Sequence, residues 1–324
     1  MAMKIYIVIA YHGEPEERYH PLLNSLNSQV GLEPDWYHYI IARSDGGGFF
    51  PPLDKYPNLQ THFSCVSMRA PIPGPGWTRQ IGINEAQRLS QNEEDWVLMC
   101  DIDDEIEHNN ALHVVYQTAL LYTYTYTRPM HMLCFPPDRY DDKTQTIEPP
   151  PDYPLIHSEP WSKCLKLSYL RKNDLHFPKT FFSYEDIFLH VCFLASGGEK
   201  IIIPYNFYKY TMPVGNPQST ALKVWAMNPQ DAVTELELFQ KEFENWRKNR
   251  YNLELSEYCG VMTTRIMLIK YALKTSPNQD VLERLNIISN SISEEIQKNR
   301  NKINEIANIY SVNYKNLKDQ DYAY

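Results

Sequence analysis

The 324-residue sequence is poor in several features that would point to a particular class of protein. Its six cysteines, Cys65, Cys100, Cys134, Cys164, Cys192 and Cys259, stand far apart with no C-x-x-C pair. That spacing disfavours a disulfide framework or a zinc site and suits reduced thiols in a cytoplasmic protein. No apolar run approaches the roughly 18 residues of a membrane span. The opening MAMKIYIVIAYHGE lacks a strong basic stretch and a cleavage site, so it reads as a first strand and not as a signal peptide. Positive charge is in deficit: 31 Lys and Arg against 40 Asp and Glu leave a net charge of −9. A protein whose main task is gripping nucleic acid is thereby disfavoured. Internal repeats are absent too.

What is present belongs to a folded α/β protein. Hydrophobic residues make up 43% of the chain and aromatics 13%, which are globular values. The 24 Tyr and 23 Pro suit long, well-packed loops better than an ideal bundle. KIYIVIA (residues 4–10) is a continuous apolar run, as expected of a strand covered on both faces. HPLLNSLNSQ follows with Leu22, Leu23 and Leu26 on one helical stripe. WYHYIIARSDGGG supplies a second strand ending at Asp45 and three glycines, and HFSCVSM a short third. PGPGWTRQIGINEAQRLS opens a helix with Gly82, Ala86 and Leu89 in register, and DWVLMC is the next long strand. Strands separated by helical patterns predict a mostly parallel sheet flanked by helices. The proline-laden segment 128–160 predicts a loop over the sheet edge, and a helix is expected over about residues 184–196, stopped by Gly197 and Gly198. From residue 229 the composition turns to Glu, Lys, Asn and Ile at helical spacing, with Leu282, Leu285, Ile288, Ile292, Ile296, Ile303 and Ile306 recurring every three or four residues. Two regions are therefore expected: an α/β domain over 1–225, and a helical C-terminal region over 226–324 that packs on it or makes a homo-oligomer contact.

The stretch WVLMCDIDDE (residues 96–105) drives a buried-looking strand into four acids. In an extended chain Asp101 and Asp103 project to one side, while Ile102 and Asp104 face the other. Two converging carboxylates suit Mg²⁺ or Mn²⁺ and leave coordination positions for water or diphosphate oxygens. A calcium loop of the EF-hand type does not fit, because Ile106 and Leu112 stand where Gly and Glu are needed. A haloacid-dehalogenase-type phosphatase also places D-x-D after a strand, but Glu105 departs from its pattern. A solvated acidic turn remains the plain alternative.

Six motifs in order resemble the inverting GT-A glycosyltransferases of the family 2 type across roughly residues 4–220. They are KIYIVIAYHGE, RSDGGG, PGWTRQIGINEAQ, WVLMCDIDDE, PWSKCLKLSYLRKNDLHFPKTFFSYEDIFL and YNFYKYTMPVGNPQS. Gln80 and Thr211 depart from the family's usual Asn and basic residue. The resemblance implies a nucleotide-sugar donor, with Tyr11 at the strand end that loops round the nucleotide. Asp45 would contact a uracil or thymine base, which favours UDP or dTDP. It further implies a divalent ion on Asp103 supported by Asp101, and Arg79 adding positive charge near the phosphates. Asp186 would be the general base, with Glu185 positioning the acceptor. Trp161 and Tyr184 would offer flat faces to the acceptor sugar, although either ring serves equally well in a core. The acceptor is a saccharide or another hydroxyl-bearing molecule. Two other readings of the same residues stand: a nucleotide-sugar or phosphoryl-processing enzyme on the same D-x-D site, and an inactive nucleotide-sugar-binding scaffold.

Overall fold

The apolar run Ile5–Ala10 forms β1 and is buried along its whole length in the computed structural model. The structure describes residues 2–59, 62–71, 73–141, 146–148, 160–178, 185–212, 228–274 and 277–298. β1 is buried because it lies inside the sheet, paired in parallel with β2 (Tyr37–Arg43) on one side and β4 (Trp96–Asp101) on the other. β3 (Phe63–Ser67) extends the sheet beyond β2. Beyond β4 come β9 (Lys163–Lys166), β6 (Met132–Cys134) and β10 (Lys200–Ile202), giving seven strands in the order β10–β6–β9–β4–β1–β2–β3. β9 alone runs antiparallel to both of its neighbours. A second sheet of four short strands runs β5 (Glu105–Ile106), β11 (Tyr208–Met212), β7 (Asp138–Asp141) and β8 (Thr146–Glu148).

Helices α1 (Glu16–Asn27), α2 (Pro75–Leu89) and α3 (Ala111–Tyr124) belong to the same unit as the sheets. The leucine stripe of α1 is in the core, with Leu22, Leu23 and Leu26 at most 1% exposed. Each such side chain contributes about 1.5–3 kcal/mol of apolar burial. α2 begins on Pro75, whose missing N–H costs nothing in a first helical turn. Its start is tied to the end of β2: the Thr78 hydroxyl donates to Ser44 Oγ at 2.8 Å, and the Gly74 N–H donates to the same oxygen at 3.1 Å. Midway along, α2 lies so close to β1 that a Cβ on Gly82 would fall 2.3 Å from Val8 Cγ1.

The short α4 (Leu167–Lys172) follows β9 directly, and α5 (Glu185–Ala195) matches the helix expected over 184–196. Downstream, α6 (Pro229–Arg247), α7 (Ser256–Ala272), α8 (Gln279–Ser291) and α9 (Ser293–Lys298) are all helical. Two compact units result, one of Met1–Asp186 with Gly198–Asn216 and one of Ile187–Gly197 with Pro217–Tyr324. The helical unit thus takes in most of α5 as well as the tail, where the sequence suggested a boundary at 225. The reason is aromatic packing: Phe188 meets Phe239 edge-on at 5.6 Å, and Phe243 stacks on Tyr258 at 3.9 Å. Of the tail residues expected on the apolar stripe, Leu285, Ile288 and Ile292 are buried, whereas Ile303 and Ile306 lie outside the described residues. The segment 128–160 does more than loop over an edge. It supplies β6 to the main sheet and β7 and β8 to the second. All six cysteines are free, and no helix among the described residues is long and apolar enough to cross a membrane.

The contact at Gly82 gives a direct test of this packing. Gly82→Ala must push Val8 or shift α2, a forced overpacking that costs about 1–3 kcal/mol. The expected readout is a lower urea midpoint with an unchanged denaturant slope.

Candidate active site

In an open parallel sheet, a crevice forms at the carboxyl ends of the strands where the strand order reverses. Here the chain lays down β1, β2 and β3 in one direction and then returns to place β4 on the other side of β1. The reversal therefore lies between β1 and β4. Ala10, the last residue of β1, is in register with both Ala42 and Asp101. Tyr11, Asp45 and the acidic stretch thus leave the sheet at one edge.

β4 ends at Asp101, and the Asp104 N–H closes a turn on the Asp101 carbonyl at 3.2 Å. The extended alternation expected through Asp104 stops there. The acids are nevertheless partitioned as expected, by a different route. Ile102 and Asp104 are each 1% exposed, whereas the Asp101 and Asp103 side chains are 21% and 31% exposed. Asp104 is bound inward. Tyr208 donates its hydroxyl to Asp104 Oδ2 at 2.6 Å, and the Thr211 N–H donates to Oδ1 at 3.0 Å. The same hydroxyl accepts the Asp101 N–H at 2.9 Å, so Asp104 fastens β11 to the end of β4.

Arg79, in the second turn of α2, is buried against this turn. Its Nη2 donates to both Asp101 oxygens at 2.7 and 2.8 Å, and its Nε donates to Oδ1 at 3.2 Å. Nη1 lies 3.5 Å from Glu185 Oε1. The guanidinium expected beside the phosphates is thus committed to the Asp101 carboxylate and the neighbouring Glu185 carboxyl of its own chain. Glu185 is seated against the start of α2, where a Cβ on Gly76 would fall 2.5 Å from Glu185 Cγ. Burial pushes the Glu185 carboxyl up to about 8, Asp186 adds to the rise, and Arg79 opposes it. One guanidinium already neutralised by Asp101 does not keep a second buried acid ionised. Asp186 follows at the next position, partly exposed, at the start of α5. Gln80, the departure from the family's Asn, accepts the Phe177 N–H on its side-chain carbonyl at 2.8 Å and is 7% exposed.

Asp103 pairs with Arg18 of α1, Nη2 to Oδ2 at 2.5 Å. Burial and then Asp101 push its carboxyl up against the opposing pull of Arg18. Asp45 is gripped by Arg43, with Nε to Oδ1 at 2.9 Å and Nη2 to Oδ2 at 2.5 Å, and its Oδ1 also accepts the Gly47 N–H at 2.9 Å. Arg43 holds the Asp45 carboxyl down at about 2, so it is an ionised acceptor at any working pH. Tyr11 is fully buried, with the Arg43 guanidinium 5.0 Å from its ring centre, and so supports the Asp45 loop from beneath.

Trp161 is 6% exposed and stacks in parallel on Tyr208 at 5.8 Å and Tyr210 at 4.6 Å. Its ring is core material, which replaces the expectation of a flat face offered to a sugar. Tyr184 lies outside the described residues.

Among the described residues, no group of three or more His, Cys, Asp or Glu side chains is arranged to hold a metal ion. The described residues therefore offer a carboxylate pair at most, and the two members differ. Both Asp101 oxygens already accept from Arg79, whereas Asp103 is partly open to water. That donor set fits a hard divalent ion that keeps most of its shell as water or ligand oxygens, as Mg²⁺ does.

Sequence reasoning missed Arg43, Arg18 and Tyr208. Arg43 stands two residues before Asp45 in ARSDGGG, so that pairing was in reach. Tyr208 opens the Tyr-x-Tyr of β11, but nothing local shows that it meets residues 101 and 104. Arg18 pairs across 85 positions and carries no local signal.

The sheet order and the acidic turn at the point of reversal define a GT-A glycosyltransferase fold. No protein-family model matches the chain, and no curated protein matches it in sequence. Solved structures do match. S. aureus TarS 1-349 in complex with UDP-GlcNAc aligns over 97% of this chain and 92% of its own, with 14% identity and a TM-score of 0.60. A further S. aureus TarS structure covers 89% of this chain and 55% of its own, at 15% identity and a TM-score of 0.52. The mannosyltransferase PcManGT from Pyrobaculum calidifontis, in complex with GDP-Man and Mn²⁺, covers 98% of this chain and 88% of its own at 12% identity, with a TM-score of 0.50. At these identities the likeness is one of fold.

The raised Glu185 carboxyl links stability to pH. Below its ordinary value of 4.5 the group is protonated folded or unfolded; between 4.5 and about 8 only the folded state holds the proton. Its contribution is therefore fully present below pH 4.5 and is lost as pH rises through 8, with a slope of at most about 1.4 kcal/mol per pH unit. Glu185→Gln should flatten this part of the stability profile, read as melting temperature at fixed ionic strength from pH 5 to 8.5.

Proposed function

We propose that this protein is a metal-dependent inverting glycosyltransferase that moves a sugar from a UDP- or dTDP-linked donor to a hydroxyl acceptor. The observation that carries the proposal is the Asp101–Asp104 turn at the point where the order of a GT-A sheet reverses, with the partly exposed carboxylates of Asp101 and Asp103 paired to Arg79 and Arg18. The bound nucleotide sugars of the TarS and PcManGT structures support the reaction class. The Mn²⁺ in the latter supports the use of a divalent ion.

Asp45, ionised and fixed by Arg43, accepts the imide N–H of a uracil or thymine ring, and Tyr11 holds that loop in place. Asp103, with Asp101 behind it, would hold Mn²⁺ or Mg²⁺, which would supply positive charge to offset the charge developing on the departing diphosphate. Arg79 acts at one remove from the phosphates by fixing Asp101 and Glu185. Asp186 is the general base, taking the acceptor hydroxyl proton as that oxygen attacks the anomeric carbon. The new carbon–oxygen bond forms on the face opposite the diphosphate, the old one breaks, and the nucleoside diphosphate leaves with the bonding electrons. Configuration at the anomeric carbon inverts. Glu185, protonated at neutral pH, orients the acceptor by hydrogen bonding without competing for the proton that Asp186 takes. The helical unit, with Met267, Tyr271 and Ile287 at 51%, 62% and 70% exposure, is the surface assigned to a homo-oligomer contact. Six free cysteines fit a reducing, cytoplasmic setting.

The decisive experiment is a set of UDP-, dTDP- and GDP-sugars with and without Mn²⁺, scored by thermal shift and by donor hydrolysis. Stabilisation is expected only with metal and a uridine or thymidine donor. Asp103→Ala should abolish the metal-dependent shift. Asp186→Asn should keep it while losing about 10²–10⁴-fold in turnover. Absence of response to every donor would remove the glycosyltransferase reading. Native turnover by Asp186→Asn would remove Asp186 as base, and donor binding with no turnover in the wild type would favour the scaffold.

A further inference from the structure

The surroundings of Asp45 limit what it can accept. A carboxylate has about four acceptor positions, two on each oxygen. Oδ1 of Asp45 already accepts from Arg43 Nε and from the Gly47 N–H, both at 2.9 Å, and Oδ2 accepts from Arg43 Nη2 at 2.5 Å. One position is left, on Oδ2, and the side chain is 40% exposed. Arg43 has little more to offer a ligand. Its Nη1 donates to the Phe49 carbonyl, its side chain is 8% exposed, and Gly47 closes over it so tightly that a Cβ there would fall 2.5 Å from Nη2.

A second arginine stands beside this loop. Just past β3, Arg69 lies directly opposite Asp45 in an isolated antiparallel bridge. The next residue holds the register, with the Ala70 N–H donating to the Ser44 carbonyl at 2.8 Å. Opposite residues in such a pair send their side chains to one face, with Cβ atoms about 4.5–5.5 Å apart. Gly46 permits the approach: its φ of +76° is left-handed, and a Cβ there would fall 3.2 Å from Arg69 Cβ. Arg69 is exposed, and among the described residues its side chain has no hydrogen bond, ion pair or ring contact. Asp45 is already neutralised by Arg43, so the Arg69 guanidinium keeps its donors for a ligand.

We propose that Arg69 reads the base of the donor. It donates to a ring carbonyl of a uracil or thymine whose imide N–H goes to Asp45 Oδ2. This rests on the glycosyltransferase reading above and deepens its base preference. A uracil or thymine edge carries one N–H between two carbonyls, which matches one open acceptor beside one free donor. Guanine presents two adjacent N–H donors and takes both oxygens of a carboxylate. Asp45 has a single position to give, so one guanine donor would be left without a partner, and the wrong base is disfavoured by that mismatch. Arg43 and Gly47 set the count at Asp45, and Arg69 supplies the complementary donor.

The test uses the full chain at saturating Mn²⁺. UDP, dTDP, GDP and inorganic pyrophosphate are titrated calorimetrically into wild type, Arg69→Ala and Arg69→Lys. Arg69→Ala should bind UDP and dTDP about 10-fold more weakly, because a charge-assisted hydrogen bond is lost. Its affinity for pyrophosphate should match wild type, which also shows that the phosphate side is intact. Arg69→Lys, a point donor in place of a fork, should recover part of the loss. A general attraction of this cation for phosphate would weaken pyrophosphate as much as UDP, and that result overturns the base contact. So does an Arg69→Ala that binds UDP as wild type does. Wild type binding GDP as tightly as UDP overturns the count at Asp45. In these three cases a nucleoside diphosphate still binds, and only this inference falls. If wild type binds none, the glycosyltransferase reading falls with it.

Discussion

The buried pairing of Arg79 with Asp101 is what lets β4 end in acid. At the tip of β4 the Asp101 side chain keeps only 21% of its surface exposed, and removing an ion from water costs several kcal/mol even after relaxation. Arg79 offsets that cost by presenting Nε and Nη2 to both oxygens of Asp101. Taking either partner away would leave an uncompensated charge in the interior, a loss of about 3–5 kcal/mol in comparable pairs. The same guanidinium reaches Glu185, 106 positions further along the chain, and so joins α2, β4 and the start of α5 at one point.

The packing of α2 follows from that constraint. For Arg79 to reach Asp101, α2 must lie close over β1 and β4, and the two small residues on its inner side make this possible. Gly82 lets the helix sit down on Val8, and Gly76 leaves the room that Glu185 fills. Ser44, Thr78 and Gly74 lock the entry of the helix to the end of β2, which fixes Asp45 relative to the same guanidinium. Asp45 and Asp101 are therefore both set by one helix.

Much of this was legible in the sequence, and what was not is explained by distance along the chain. β1, β2, β4 and α1 announce themselves because their apolar residues are contiguous or evenly spaced, and the core reads them the same way. β9 does not, since Lys163–Lys166 is four residues with lysine at both ends, and only its pairing with β4 and β6 makes it a strand. β5 has two residues and exists through its partner β11. Among the site residues, acids in a D-x-D or an E-D are visible as local patterns. Their counter-ions Arg18 and Arg79 approach from helices, and no local rule says which carboxylate each will choose. Trp161 shows a further limit, because an aromatic ring that stacks on tyrosines in a core and one that stacks on a sugar look alike until burial is known.

The charge pattern also explains why the chain tolerates so much acid at one edge. Glu14, Asp45, Asp101, Asp103, Asp104, Glu185 and Asp186 would repel one another strongly if all were ionised and unpaired. Instead, the charge is met in several ways. Asp45 and Asp101 are neutralised by forked arginines, Asp104 is hydrogen-bonded by Tyr208 and the Thr211 N–H, and Glu185 keeps its proton through burial. Glu14 accepts the His12 N–H at 2.7 Å and is also pushed up by burial. Asp103 is paired with Arg18, with 31% and 35% of the two side chains exposed, and burial still pushes its carboxyl up.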